Sequence, residues 1–126
     1  MKRLITVGIL AALIVTACFT GHTVINRAGR DVGGLLTESI EAAQDGDAKK
    51  AYELSLKAEK AFIEAEGRIS FFIYHDLVEG MGLQISKLPD LACDETLSEF
   101  SAEANGALVM LTHIVNDEKP TLLNVF

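Results

Sequence analysis

Imidazole and carboxylate groups come together in the sequence at His75, Asp76 and Glu79. On a helix, His75 and Glu79 would share a face, where they could supply two metal ligands or an acid/base pair. A zinc site normally needs three or four protein ligands, and the only other His after residue 26 is His113, on a separate predicted helix. A metal-dependent hydrolase built on these residues is therefore disfavoured. We expect His75 to bond locally, with Asp76 near the start of a helix.

The two cysteines of the chain, Cys18 and Cys93, lack the surroundings that nucleophilic catalysis requires. A catalytic thiol needs a partner base, and no motif supplies one. Cys18 belongs to an apolar segment, so we expect no disulfide between the two, and Cys93 should be a buried or loop thiol. No phosphate-binding glycine loop and no Ser-His-Asp arrangement is present. The sequence thus predicts no catalytic residues, no metal ligands and no cofactor.

The aromatic residues Phe71, Phe72 and Tyr74 directly precede His75 and Asp76. They could line the pocket of a ligand-binding or sensing module, with His75 and Asp76 as its polar groups. Aromatic side chains clustered in this way more often belong to a hydrophobic core. From the sequence alone both interpretations stay open.

The N-terminal segment is the strongest feature of the chain. Lys2 and Arg3 are followed by 23 uncharged positions, residues 4–26. A helix of that length spans about 34 Å, enough to cross a hydrocarbon core of about 30 Å. The basic start predicts a cytoplasmic N-terminus and places the rest of the chain outside the cytoplasm.

A lipoprotein signal is the competing interpretation of the same residues. Lys2-Arg3 fits the basic start of a secretory signal, Leu4–Ile14 fits its apolar region, and Val15-Thr16-Ala17-Cys18 resembles a lipobox with Cys18 as the lipidated residue. Both interpretations predict an anchor in residues 1–26. Both also leave residues 27–126 as an extracytoplasmic domain tethered to the cell membrane.

Charge excludes one class of partner. The 126 residues fit one small domain with a net charge of −7, which argues against nucleic-acid binding, because that binding requires clustered Lys and Arg. Without Lys2 and Arg3, 9 basic residues oppose 18 acidic ones, so the exported part carries −9. Anionic headgroups would repel such a surface, and we expect the domain to stand off the bilayer.

Residues 27–126 show helical periodicity throughout. A first segment should end at Asp45-Gly46-Asp47, with a weak or bent turn at Gly33-Gly34. Asp47 is placed to cap the second helix. The second helix has a narrow seam of steps of three and four: Ala51, Ser55, Ala58, Phe62, Ala65, Ile69 and Phe72.

Two further helices complete the predicted fold. The third carries Leu77, Met81, Ile85 and Leu88 and stops at Pro89, and after a loop Asp94 can cap the fourth. The apolar positions of the fourth helix are Leu97, Phe100, Ala104, Ala107 or Leu108, Leu111 and Ile114. No segment alternates with period two, so the predicted class is all-α: an N-terminal membrane helix followed by a small antiparallel helical hairpin or bundle.

The chain as a whole resembles the domain of unknown function 4363 family, small membrane-anchored proteins of Firmicutes. The resemblance rests on the basic-start apolar N-terminus, the Asp45-Gly46-Asp47 turn, the long Ala/Glu/Lys helix, the stretch Ile73-Tyr74-His75-Asp76 and the ending Leu122-Leu123-Asn124-Val125-Phe126. It implies an N-terminally anchored helical protein and no established activity.

Four of the last five residues are apolar: Leu122, Leu123, Val125 and Phe126. An exposed terminus is rarely so hydrophobic, so this tail should dock onto the bundle or onto a partner. The leading functional hypothesis is a non-enzymatic, membrane-tethered domain that acts through protein–protein contacts, as an accessory subunit of a membrane complex. The alternative is an extracytoplasmic ligand-binding or sensing module.

Overall fold

The structure, a computed structural model, describes residues 1–117, and within that range the chain forms five helices and no strand. The helices are α1 (Lys2–Gln44), α2 (Ala48–Ile69), α3 (His75–Ser86), α4 (Leu88–Leu91) and α5 (Leu97–Asp117). The predicted all-α class, with a long apolar N-terminal helix followed by a helical bundle, is confirmed. The predicted docking tail, Leu122, Leu123, Val125 and Phe126, lies outside the described residues.

The two halves of the first helix differ in how much of their surface is buried. α1 has 43 residues, a length of about 65 Å at 1.5 Å per residue. Residues 1–20 are exposed on every side, whereas from Gly21 onward one face packs against α2 and α5. The buried positions are Gly21, Ile25, Val32, Gly33, Leu36, Ser39, Ile40, Ala42 and Ala43. The helix is unbroken at residues 26 and 27, where the sequence predicts that the anchor meets the bundle.

α1 also continues through Gly33 and Gly34, where the sequence predicts a weak or bent turn. Gly33 is buried, and a Cβ atom there would lie 3.4 Å from Cδ2 of Leu111. The absent side chain therefore lets α5 approach closely. In proteins most helical stability comes from such packing, and here it outweighs a cost of about 1 kcal/mol per glycine.

The turn between α1 and α2 forms as predicted, at residues 45–47. The Gly46 N–H donates to the Ala43 carbonyl (3.1 Å) and the Asp47 N–H to the Ala42 carbonyl (2.9 Å), which is the Schellman pattern that closes many helices. Gly46 has a φ of 77°, a left-handed conformation that favours glycine. The Asp47 carboxylate then accepts from the Lys50 N–H at 3.1 Å, so its predicted capping role is confirmed.

The seam predicted on α2 is buried over most of its length: Ala51, Ser55, Ala58, Phe62, Ala65 and Ile69. Alanine and serine side chains at these positions let α1 and α2 approach closely. The buried Ser55 hydroxyl donates to the Tyr52 carbonyl of its own helix, at 2.8 Å, so its polar group is satisfied. The prediction is wrong at Phe72, which is 37% exposed because α2 ends at Ile69 and the chain turns away.

Met81 and Ile85 on α3 and Leu88 at the start of α4 are buried as predicted, but Leu77 is exposed and Val78 takes its place in the core. The chain does not break at Pro89, which is buried in the first turn of α4. A proline is tolerated there because the first residues of a helix need no N–H partner within it.

The last helix buries the predicted positions Phe100, Ala104, Ala107, Leu111 and Ile114. It begins at Leu97, so the residue before it is Thr96 rather than the predicted cap Asp94. The Thr96 hydroxyl donates to the Leu91 carbonyl at 2.8 Å, which ties the start of α5 to the end of α4.

Helices that pack against each other run antiparallel, and this gives the bundle two distinct ends. Val115 lies against Gly29 and Leu111 against Gly33, so α5 runs back along α1. By the same spacing, residue 97 lies level with residue 47. We call this end, residues 45–47 and 92–96, the far end of the bundle.

The opposite end of the bundle adjoins the exposed half of α1. Phe62 lies against Gly82, so α3 runs back along α2, and Phe72 of the turn between them lies against Gly21. We call Gly21 and residues 70–74 the anchor end. From Gly21 to the far end the helix covers about 36 Å at 1.5 Å per residue.

Two glycine substitutions should change stability in opposite directions. Gly46→Ala places a Cβ at a left-handed φ and should lower the free energy of unfolding by about 1 kcal/mol. Gly34→Ala, at an exposed helical position with open space around its Cβ, should raise it by up to about 1 kcal/mol. Denaturant unfolding of the full chain in detergent, followed by circular dichroism, measures both. A stabilising Gly46→Ala would contradict the turn described here.

Candidate functional site

The exposed half of α1 is apolar around its whole circumference. Leu4, Leu10, Leu13 and Phe19 are all exposed, although such residues normally lie in a core. Among the described residues, α1 is the one helix whose length and composition would let it cross a membrane. This segment is a candidate membrane anchor, as the sequence predicts at the level of length and hydropathy.

Threonine hydroxyls on this segment are satisfied within the helix itself. Each donates to the backbone carbonyl four residues earlier, at 2.8 or 2.9 Å: Thr6, Thr16, Thr20 and Thr23. A hydrocarbon environment demands this arrangement, because no water is available to bond a free hydroxyl there. The polar residues of the segment are thus compatible with lipid.

A close contact joins the anchor segment to the turn between α2 and α3. Gly21 is buried beneath the Phe72 ring, and a Cβ added at Gly21 would lie 2.7 Å from Cδ1 of that ring. Beside this contact, an apolar groove of about 490 Å³ is lined by Cys18, Phe19, Ile25 and Phe72, among others. The groove is where the freestanding half of α1 becomes part of the bundle.

The structure separates the residues predicted to form a pocket. Phe71 and Tyr74 are 85% and 84% exposed, so they belong neither to the core nor to the lining of an enclosed cavity. Phe72 is the member of the group that packs, against Gly21. Their common property is position: all three lie in the turn at residues 70–74, at the anchor end.

His75 and Glu79 do meet on one face of α3. The His75 Nε2 atom lies 3.8 Å from the Glu79 Oε2 atom, with the side chains 78% and 62% exposed. A contact so exposed to water contributes little to stability. Asp76 and His113 are also exposed, and residues 1–117 contain no group of three or more His, Cys, Asp or Glu side chains arranged to hold a metal.

The two cysteines are exposed and lie beyond opposite ends of the bundle. Cys18 lies on the exposed half of α1, one turn before Gly21, and Cys93 lies in the loop of the far end. Both cysteines are free thiols. Cys93 was predicted to be either a buried thiol or a loop thiol, and it is an exposed thiol in a loop.

A small cleft between α1 and α2 was not predicted from the sequence. About 140 Å³ in volume, it is bordered by Arg27 and Asp31 from α1 and by Glu64 and Arg68 from α2. Each helix contributes a charged pair four residues apart, which is the signal that could have indicated it. The cleft lies within three helical turns of Gly21, so it places two guanidinium groups near the anchor end.

No protein-family model, curated protein or solved structure matches this chain.

The contact between Gly21 and Phe72 predicts non-additive substitutions. Gly21→Ala alone should be neutral or destabilising, because the new Cβ displaces the Phe72 ring. In a Phe72→Ala background the same change should stabilise the protein by up to about 1 kcal/mol, since alanine is the better helix former. Thermal unfolding of the four proteins in detergent gives the coupling. Gly8→Ala, with open space around its Cβ, is the control, and identical effects in both backgrounds would contradict the contact.

Proposed function

We propose that this chain is a membrane-anchored, non-enzymatic protein whose helical bundle lies outside the cytoplasm and binds a protein partner, as an accessory subunit of a membrane complex. The observation that carries the proposal is that α1 is a single helix with two surroundings: apolar and free on all sides up to residue 20, and packed into the bundle from Gly21. A helix in water would not leave so long an apolar segment uncovered.

The proposed direction of insertion rests on the basic start of the chain, an asymmetry that Arg27 and Arg30 beyond the apolar segment weaken without reversing. Lys2 and Arg3 precede the apolar segment, and basic flanks favour the cytoplasmic side. The bundle then lies on the opposite side, which makes Cys93 an extracytoplasmic thiol. In the alternative anchoring mode, cleavage before Cys18 and its lipidation leave the bundle on the same side, held by acyl chains one turn from Gly21.

A stripe on α2 supports the contact with a protein. Tyr52, Leu56 and Ile63 are exposed, and their spacing of four and seven residues places them on one helical face. This face points away from α1, whose contacts use the buried seam. An apolar surface on a partner subunit, placed against the stripe, would remove these side chains from water.

Labelling of Cys93 tests the proposed topology. A membrane-impermeant maleimide should label the full chain in right-side-out vesicles, because Cys93 is exposed at the far end whereas Cys18 lies in the bilayer or carries lipid. Cys93→Ser should abolish the labelling, and Cys18→Ser should leave it unchanged. Labelling of Cys93 only after permeabilisation would overturn the extracytoplasmic placement. Intact mass of the membrane-extracted protein then separates a start at Met1 from a start at lipidated Cys18.

Site-specific crosslinking tests the proposed partner contact. A photoreactive residue at Leu56, introduced in native membranes, should crosslink to one protein, and Ile63→Glu should reduce that crosslink because it charges the same face. Lys57→Glu, an exposed change on a different face of α2, is the matched control. A full chain that gives no crosslink from the stripe and sediments as a monomer in mild detergent would contradict the proposal.

A further inference from the structure

The turn between α2 and α3 presents aromatic side chains to solvent at the end of the bundle from which the anchor emerges. Phe71 and Tyr74 are almost fully exposed, and Phe72 covers Gly21 of α1. We infer that residues 70–74 are a second membrane contact, in which Phe71, Phe72 and Tyr74 lie in the interfacial layer of the bilayer. This inference rests on the proposed anchor and adds to it a surface that the anchor does not require.

The depth of the turn follows from the length of the anchor. A hydrocarbon core of about 30 Å takes about 20 residues of helix, so a span that begins at Leu4 ends near Thr23. Gly21 lies just inside that limit, and the Phe72 ring contacts Gly21. The turn therefore lies where the hydrocarbon gives way to the headgroups.

The side chains of the turn suit that layer. Aromatic residues are enriched at membrane–water interfaces, tyrosine in particular, because its ring is apolar and its hydroxyl can bond to water or headgroups. In water the exposed rings of Phe71 and Tyr74 would be unfavourable. At the interface the same exposure becomes contact with lipid.

Charge along the bundle agrees with this orientation. Arg27 and Arg68 lie within two helical turns of the anchor end, and Arg30 lies within three; basic side chains near a membrane surface are attracted to lipid phosphates. Carboxylates are more numerous there than these arginines, in Asp31, Glu64, Glu66, Asp76 and Glu79. The strongest excess of acid is nevertheless at the other end, where four acidic residues lie in or near the loop that precedes α5: Asp90, Asp94, Glu95 and Glu99. The bundle can therefore touch the bilayer at its anchor end, so the expectation that the domain stands off the bilayer would apply only to its most acidic part, about 36 Å away.

The contact does not depend on how the chain is anchored. Cys18, Phe19 and Phe72 line the same apolar groove. If α1 spans the bilayer, the groove faces acyl chains. If Cys18 is lipidated, its own acyl chains begin beside Phe72. A second copy of the chain is the competing occupant of the turn, and it differs from lipid in its dependence on protein concentration.

Tryptophan fluorescence tests the inference, because the chain contains no Trp. Phe71→Trp changes an exposed side chain and creates a single reporter. The full-length variant is reconstituted in phosphatidylcholine vesicles with and without brominated acyl chains. Brominated lipid should quench its emission, most strongly when the bromines lie near the headgroups.

Leu10→Trp reports on insertion of the anchor and should be quenched most strongly by deep bromines. Tyr52→Trp, on α2 near the far end, should not be quenched.

Each outcome decides between the proposals. Quenching of both Leu10→Trp and Phe71→Trp supports the contact. Quenching of Leu10→Trp alone overturns it and leaves the anchor standing. No quenching of either variant, from a protein of intact mass starting at Met1, removes the spanning anchor and the inference with it. An emission shift of Phe71→Trp that grows with protein concentration in detergent, without quenching by brominated lipid, assigns the turn to a second copy and overturns the lipid contact.

Discussion

Close packing of α1 against α2 is the interaction on which the rest of the structure depends. Small side chains at Ala43, Ala51 and Ala58 are buried between these helices and their neighbours, and they let the two backbones approach. Once this pair is formed, α5 can pack along α1, and α3 and α4 can cover the remaining edge of α2. The same packing carries the chain straight from the apolar segment into the bundle, because α1 gains its partners without any change of direction.

That continuity explains why the aromatic turn and the candidate anchor lie at the same end of the bundle. The turn at residues 70–74 is placed by the length of α2, which returns the chain from residue 48 to the level of Gly21. An α2 shorter by two turns would place the aromatic residues about 10 Å from the anchor. The proposed partner stripe, by contrast, runs along the side of α2, where neither the bilayer nor the core competes for it. The two proposed contacts therefore use different parts of one hairpin.

Local chemistry made the elements of this fold predictable from sequence. The Asp45-Gly46-Asp47 turn, the cap at Asp47 and the seam from Ala51 to Ile69 follow from turn propensity, capping and helical periodicity. The loop predicted to begin at Pro89 is wrong, because a proline can either follow the end of a helix or lie in the first turn of the next one. Which of the two applies depends on where the next helix starts. Val78 replaced Leu77 in the core for a similar reason: the phase of α3 is set by the turn before it. The exposure of Phe71 and Tyr74 could not be predicted, since composition alone favours a core for aromatic residues and only the tertiary position of the turn shows otherwise.

The unbroken passage of α1 between its two surroundings has a mechanical consequence. A flexible linker would let the bundle diffuse freely around its anchor, but a continuous helix acts as a lever arm. Transmembrane helices tilt by about 20° on average, and more when the bilayer is thinner than the apolar segment. Over the roughly 36 Å from Gly21 to the far end, a tilt of that size would move the acidic loop sideways by about 12 Å. If the proposed anchor spans the bilayer, the position of the loop that carries Cys93 is therefore tied to the thickness of the lipid around Leu4–Phe19.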